Sequence, residues 1–472
     1  MNVLLINPPC ENEITAALPA VIKKERGCNP PLGLLYLAGY LEKFSSHKVT
    51  IIDAQVEELS YQSLMSRIGA MKADVVGITA MTMTLIDVIK TVNIVNVVKP
   101  GIKIVLGGPH VHLYPRETIS LANVDYLVIG EGEKTFKNLL DNIDDKAELR
   151  KIPGLVFKNN GEIVNTGFSL FSENLDEIPF PARHLVPYKK YTSVLTQNDV
   201  ITTVITSRGC PFKCTFCNRL HLGKKFRARS ADNIVEELEE CTRMGINTFL
   251  FYDDSFTINK KRVIEICEKI VERQLKINWN IRTRVDVVDE ELIRHLSMAG
   301  CKGIHYGVES GTEKILKILR KDITIEQILK AFYLTAKYKI ATLAYFMIGN
   351  PTETLEDIKA TFQLMRKLRP DYAHITVLIP FPGTKIYLDG QKQGVIKKDY
   401  WKEFAQNPMS DFKPPYWEEL FSQDELNSLL IKGYKQFYSR PLYIVKRLIK
   451  IKSFSDFKKK ATAGIRILTM KG

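Results

Sequence analysis

A chain of 472 residues with 45% apolar content is too long for one ordinary domain and too apolar to stay disordered, so about two to four packed domains are expected. Eight cysteines in so long a chain do not make a disulfide framework, no apolar run reaches the roughly 18 residues of a spanning helix, and the first residues lack the basic start of a secretory signal, so a reducing cytoplasmic setting is expected. The net charge of +14 is uneven: residues 431–472 hold twelve Lys or Arg against Asp456 alone, +11, which places the expected electrostatic partner at the tail.

The first domain spans about residues 1–140. Val3-Leu4-Leu5-Ile6 reads as a buried strand stopped by Asn7-Pro8-Pro9. A helix is predicted over 31–44 and further strands over 49–52, 75–78, 102–106 and 126–129, with helical spacing between them, clearest over 84–98. Strands alternating with helices predict an α/β domain with a doubly wound, Rossmann-like parallel sheet. Such sheets bind ligands in the loops at the carboxyl ends of their strands. Here those loops carry Asn7, Pro8, Pro9, Thr79, Gly107-Gly108-Pro109-His110 and Gly130-Glu131-Gly132-Glu133. Glycine lets a backbone approach a flat ligand and supplies positive φ, although tight turns without a ligand explain these glycines equally well.

Residues 141–195 read as a linker. Leu155–Phe157 and Glu162–Val164 flank Asn159-Asn160-Gly161 as a β-hairpin. The proline-punctuated run Ile178–Arg183 is expected to pack one domain on the other, with no chemistry of its own.

The second domain, about 196–415, opens with Cys210, Cys214 and Cys217 in a Cys-x3-Cys-x2-Cys spacing. Thiolates are soft ligands for iron–sulfur clusters or zinc. No fourth Cys or Asp follows at ligand distance, so a four-iron cluster would keep one iron open; a zinc knuckle completed by His221 and three unrelated thiols are the alternatives. Strands are predicted over 200–206, 248–252, 277–282, 303–308, 342–348 and 374–378, and helices over 230–244, 259–273, 290–299, 325–338 and 354–368. In βα barrels chemistry sits at the carboxyl ends of the strands. Those ends carry Asp253-Asp254, Arg282 with Arg284, Gly307-Val308-Glu309-Ser310-Gly311, Gly349-Asn350-Pro351-Thr352-Glu353 and Pro380-Phe381-Pro382-Gly383-Thr384. Paired carboxylates can accept from an ammonium group, although Asp254 also suits a helix N-cap. A guanidinium can pair bidentately with a carboxylate, so Arg282 reads as a ligand contact or an internal salt bridge. Cys241, Cys267 and Cys301 lie among apolar residues and read as inert buried thiols. In the tail, 416–472, Leu442, Val445 and Ile449 recur at helical spacing with Lys446, Arg447 and Lys450 between them, a basic amphipathic helix suited to an anionic membrane surface, to RNA, or to the protein's own barrel.

The cysteine spacing, with Phe216 before the last cysteine and six strand–helix units after it, resembles the radical S-adenosylmethionine superfamily. The resemblance implies a partial (β/α)6 barrel and a [4Fe–4S] cluster on Cys210, Cys214 and Cys217, whose open iron chelates S-adenosylmethionine. It also implies that Phe216 belongs to the cofactor site, that Asp253 and Asp254 take the cosubstrate's amino group and Arg282 its carboxylate, that Glu309 and Ser310 contact ribose or carboxylate, and that Gly349, Pro351 and Glu353 lie beside adenine. The N-terminal loops, with Pro30-Pro31-Leu32-Gly33, resemble the cobalamin-binding domain that precedes many radical domains. That likeness implies a corrinoid across Asn7, Pro8, Pro9, Thr79, Gly107, Gly108, His110, Gly130, Glu131 and Gly132. The Asp-x-His-x-x-Gly motif of other cobalamin domains is missing: Ala-Gln-Val-Glu-Glu follows Asp53. His110 is then a candidate axial ligand, with a histidine hydrogen-bonded to backbone as the simpler reading. RNA methylthiotransferases also place a sheet domain first, but theirs carries three cysteines, and this one has only Cys10 and Cys28. The function implied is C–H functionalisation, with methyl transfer to a hydrophobic small molecule ahead of cyclisation or rearrangement. A non-catalytic iron–sulfur and corrinoid sensor or carrier is the rival outside enzymes. The implied partners are an external electron donor of flavodoxin or ferredoxin type and, through the tail, the inner membrane surface; nucleic acid is not expected.

Overall fold

The computed structural model describes residues 1–14, 27–169, 171–192, 199–218 and 222–449. The first sheet runs β2-β1-β3-β4-β5-β6-β7. Its strands β1 (Asn2–Asn7), β2 (Lys48–Asp53), β3 (Val75–Thr79), β4 (Lys103–Gly107) and β5 (Tyr126–Val128) are parallel. Val3, Leu4, Leu5 and Ile6 are all buried, as a strand covered by helices on both faces demands. Strand order turns back between β1 and β3, which opens a crevice above the carboxyl ends of the two.

The hairpin predicted in the linker is part of this sheet. β6 (Leu155–Asn159) pairs antiparallel with β5, and β7 (Glu162–Asn165) with β6. Asn160 and Gly161, at φ 49° and 85°, make the tight turn between them. The connector after it does join the halves: Ala182 N–H donates to Leu35 O at 3.0 Å, and the buried Arg183 reaches Thr202, Thr203 O and Glu237.

The second sheet is wholly parallel and unclosed. β8 (Ile201–Val204), β11 (Thr248–Phe251), β12 (Asn278–Thr283), β13 (Cys301–Glu309), β14 (Ala341–Ile348) and β15 (Tyr372–Val377) lie side by side in chain order. A short ribbon, β9 (Ser207–Arg208) with β10 (Arg227–Ala228), brackets the cysteine loop. The five long helices between these strands start on side-chain caps: Ser230, Asn259, Asp289, Thr324 and Thr354 accept from the backbone of the first turn. Winding in one direction puts the helices on one face. Trp279, Ile281, Ile304, Tyr306, Ala344, Phe346, Ala373 and Ile375 are buried beneath them, whereas Arg282, His305, Tyr345 and His374 alternate onto the partly accessible inner face.

Helix 423–438, expected as the start of a separate tail, covers the open edge of β15. Tyr434 Oη accepts from Ile375 N at 3.1 Å and donates to Ile375 O at 2.9 Å, and Tyr438 makes the same pair with Ala373 at 3.3 and 2.9 Å. Helix 441–449 leaves Leu442 79% and Val445 52% exposed. The side chains of Lys446, Arg447 and Ile449, and all of 450–472, lie outside the described residues, as does His221. No helix among the described residues is long and apolar enough to cross a membrane.

Candidate functional site

The cysteine loop leaves β9 through Gly209 at φ +83°, where a Cβ would stand 2.2 Å from Lys225 O. It is then pinned from three sides. Thr215 N–H donates to Leu319 O at 2.9 Å, Thr215 O accepts from Ile386 N–H at 3.0 Å, and Asn218 Nδ2 donates to Pro382 O at 2.7 Å. Phe216 packs against the cluster of Ile315, Leu319, Met347, Leu378, Ile386 and Trp417, with Lys321 Nζ 5.8 Å above its ring. No disulfide joins the three cysteines, of which Cys210 is buried and Cys214 and Cys217 are partly exposed. Among the described residues no three His, Cys, Asp or Glu side chains converge as around a single ion. A four-iron cube binds each thiolate on a different iron and needs no such convergence. Three soft sulfurs on one clamped loop fit that group by donor chemistry. Arg284 Nη1 donates to Cys214 Sγ at 3.7 Å.

The strand-end residues divide. Asp253, expected at the cosubstrate's ammonium group, is 1% exposed and holds the root of the cysteine loop: its Oδ1 accepts from Thr206 N, Thr206 Oγ1 and Ser207 Oγ at 3.0, 2.9 and 2.5 Å. Burial raises its pKa against the lowering pull of Arg262 and of these bonds. Asp254 stays partly exposed. Arg282 stacks 3.9 Å over the Tyr252 ring and forms no ion pair among the described residues. Tyr252 in turn accepts at its hydroxyl from Asn29 Nδ2 of the first domain, at 2.8 Å.

Glu309, at φ +67°, is paired with Lys321 Nζ at 2.8 Å. Ser310, expected at the ribose or carboxylate, is fully buried instead, with its Oγ 3.3 Å from Thr361 Oγ1. Gly349, expected beside adenine, faces the chain itself: a Cβ there would sit 3.0 Å from Leu426. Pro351 is buried in the same turn, and Glu353 Oε2 accepts from Asn350 N and Nδ2 at 2.9 and 3.0 Å. Burial pushes the Glu353 carboxyl up to about 7.

Sequence reasoning missed one polar layer on the inner face. His305 lies in register with Arg282, its Nδ1 is 3.4 Å from Tyr345 Oη, and the Tyr345 ring stands 5.5 Å from that of His374. Burial, with the Arg282 charge second, pulls the His305 pKa down to about 4. Alternation along β12 to β15 was the available signal.

In the first domain the predicted loops line up along one edge. Their polar groups serve the chain more than was expected. Asn7 Nδ2 donates to buried Asp53 at 2.7 Å, Gln55 Nε2 donates to Pro8 O at 3.1 Å, and Pro9 is buried. Tyr191 also donates to Asp53, at 2.6 Å. Gly108, at φ +107°, lies against Ala80 and Thr79, Gly130 against Ser169, and Gly132 against Val128 and Leu37. Gly107 alone of these four has no crowding neighbour, a Cβ there meeting only Val128 O at an ordinary contact distance of 3.9 Å. Glu131, expected at the corrinoid, is an interdomain anchor, 2.8 Å from Arg227 and 3.3 Å from Arg208. His110, the expected axial candidate, is fully buried, bonded at Nδ1 to Thr82 Oγ1 at 3.0 Å rather than to backbone, and lowered to about 4 by burial. Its helical neighbour His112 points elsewhere. It lines a mainly apolar cavity of about 240 Å³ with Met81, Thr82, Met83, Pro109 and Leu113 of the first domain and Asn218, Phe381 and Pro382 of the second. An apolar hollow at the strand ends of a doubly wound sheet lies where such folds take their ligands.

Two family models match the chain, the B12 binding domain over residues 19–140 and the radical SAM superfamily over 204–365. The chain is 34% identical to an uncharacterized methyltransferase of Pyrococcus horikoshii, over 96% of either chain. It is 30% identical to the anaerobic magnesium-protoporphyrin IX monomethyl ester cyclase of Rubrivivax gelatinosus, over 88% of this chain and 75% of that one. In fold it is similar to the cobalamin-dependent S-adenosylmethionine radical enzyme OxsB with aqua-cobalamin bound, at a TM-score of 0.75 and 19% identity, over 99% of this chain and 72% of that one. The chain belongs to the cobalamin-dependent radical S-adenosylmethionine enzymes, with a [4Fe–4S] cluster, S-adenosylmethionine and cobalamin as its cofactors.

Proposed function

We propose that this enzyme is a C-methyltransferase whose substrate is a small, largely apolar molecule held between the two domains. When bound, the three cofactors supply hydrogen abstraction from an unactivated carbon and delivery of a methyl group. One observation carries the reading: the cavity has Asn218, the neighbour of Cys217, in one wall and Thr82, Pro109 and His112, from the corrinoid-side strand ends, in the other. A molecule held there reaches both reagents. Met81, Met83, Leu113 and Phe381 give it an apolar lining suited to such a molecule. The methyltransferase from P. horikoshii supports methyl transfer, and the porphyrin ester named for the R. gelatinosus cyclase supports an apolar substrate.

Cys210, Cys214 and Cys217 hold the cluster. Arg282 takes the cosubstrate carboxylate, since no protein carboxylate among the described residues pairs with it, and Asp254 takes its ammonium group. Thr79 and Gly107 offer backbone to the corrinoid. The electron comes from an external flavodoxin- or ferredoxin-type donor. Exposed Leu442 and Val445 beside the basic tail support peripheral contact with an anionic membrane surface.

The test is an anaerobic incubation of the loaded enzyme with reductant, methyl-labelled S-adenosylmethionine and an extract of cells lacking the protein. Label in an apolar product, together with 5′-deoxyadenosine, is expected. An unlabelled product with 5′-deoxyadenosine would replace methyl transfer by cyclisation or rearrangement. Neither product nor 5′-deoxyadenosine would sink the reading.

A further inference from the structure

We propose that Arg284 tunes the reduction potential of the cluster through Cys214. The inference rests on the reading of Cys210, Cys214 and Cys217 as the cluster ligands. Arg284 follows the end of β12 and is 6% exposed. Its guanidinium is fixed on every side. Nε and Nη2 lie 2.9 Å from the two oxygens of Asp286, Nη2 also donates to Lys321 O, and the plane covers the Phe212 ring at 3.9 Å. The remaining nitrogen, Nη1, donates to Cys214 Sγ at 3.7 Å. So the side chain cannot swing away, and its free N–H is aimed at a ligand sulfur.

The electrostatics follow from charge alone. A guanidinium stays protonated at any working pH. Adding an electron to the cluster adds negative charge, part of which falls on the thiolate sulfurs. A fixed cation and an N–H donor at one sulfur stabilise the reduced cluster more than the oxidised one, and hydrogen bonds to sulfur are among the levers that set such potentials. Asp286 opposes this charge but lies on the far side of the guanidinium from the sulfur, so the nearer cation dominates. A purely structural part for Arg284 is the alternative, because it also ties the end of β12 to Lys321 O. The two parts differ in sign behaviour. Lost support shifts a potential without regard to the charge removed, whereas tuning follows that charge.

The experiment is an electron-paramagnetic-resonance redox titration of the full-length enzyme with its cluster in place, with iron and sulfide counted for every variant. Arg284→Gln is expected to lower the midpoint potential, so that the reduced-to-oxidised ratio at a fixed poise falls about tenfold, which is about 59 mV for one electron. Asp286→Asn removes the opposing charge at nearly unchanged shape and is expected to move the midpoint upward. Arg284→Lys falls between Arg284→Gln and the parent. An unchanged midpoint in Arg284→Gln at full iron content overturns the proposal, as does a shift of Arg284→Gln and Asp286→Asn in the same direction. Should Arg284→Gln fail to hold iron, Asp286→Asn alone decides: no upward shift overturns it. A Cys214→Ala variant that keeps the parent's cluster spectrum would instead refute the ligand reading beneath it.

Discussion

Glu131 and Arg227 meet at 2.8 Å across the seam between the two domains, and both are nearly fully buried. Arg208 stands 3.3 Å from the same oxygen and 2.5 Å from Glu133. The loop after β5 thus presents two acids to the ribbon that brackets the cysteines. Removing one partner of such a buried pair leaves an uncompensated charge, at a typical cost of about 3–5 kcal/mol. Glu131→Ala is therefore expected to destabilise the protein by about 3 kcal/mol, and Glu131→Met with Arg227→Met by less than that. Denaturant unfolding followed by cluster absorbance measures both. A single variant as stable as the parent would remove the anchor from the account.

The elements were legible because parallel strands covered on both faces are unbroken apolar runs, as in Val3–Ile6, and because barrel helices begin on caps such as Thr324 and Thr354. Side-chain direction at the strand ends was not legible. Asp253 and Asp254 are neighbours in sequence, yet one is turned in to Thr206 and Ser207 and the other is partly exposed. His110 and His112 stand on one short helix, and only the second reaches the cavity. The three residues that share a layer with Arg282, namely His305, Tyr345 and His374, were hidden for another reason. Period-two alternation says that a strand has two faces, but only the one-way winding of the chain decides which face the helices cover. Several glycines read as ligand-facing are instead bare because the chain packs on itself, Ser169 against Gly130 for one.

Cys214→Ala is expected to lose the cluster and, with it, 5′-deoxyadenosine formation. Cys241→Ala is the control: Cys241 is fully buried, and burial pushes its thiol up to about 12, so it supplies no thiolate at neutral pH. Iron counting on anaerobically purified protein separates the two. The assignment fails if Cys214→Ala keeps its iron, or if Cys241→Ala loses it.

Glu353 gives the stability a pH dependence with a defined sign. Its carboxyl is pushed up to about 7 from an ordinary 4.5 because burial disfavours the charged form. The folded state therefore binds a proton that the unfolded state has released between these values, and stability falls as pH rises through the window. The shift corresponds to roughly 3 kcal/mol across that range. Glu353→Gln keeps an acceptor for Asn350 and has no charge to bury, so its melting temperature should fall less between pH 5 and about 7.5 than the parent's. Parallel curves for the two proteins would exclude Glu353 as the source.

Gly209→Ala tests whether the entry to the cysteine loop is as constrained as the geometry requires. Gly209 and Gly245 share nearly the same backbone, at φ +83° and +82°. A side chain at either carries the left-handed penalty of about 1–2 kcal/mol. Their surroundings differ: a Cβ at Gly245 meets nothing within 4 Å, whereas one at Gly209 stands 2.2 Å from Lys225 O and 3.1 Å from Gly223 O. That clash is with backbone and cannot be relieved by turning a side chain. The β9–β10 ribbon must open, and Cys210, the next residue, moves with it. Gly245→Ala should therefore lower stability by about 1 kcal/mol with full iron content, whereas Gly209→Ala should fold, since the barrel core is untouched, but lose at least half of its iron. Equal iron content in the two variants would mean that the loop tolerates a shift at its entrance and that the cysteines are positioned by Thr215 and Asn218 alone.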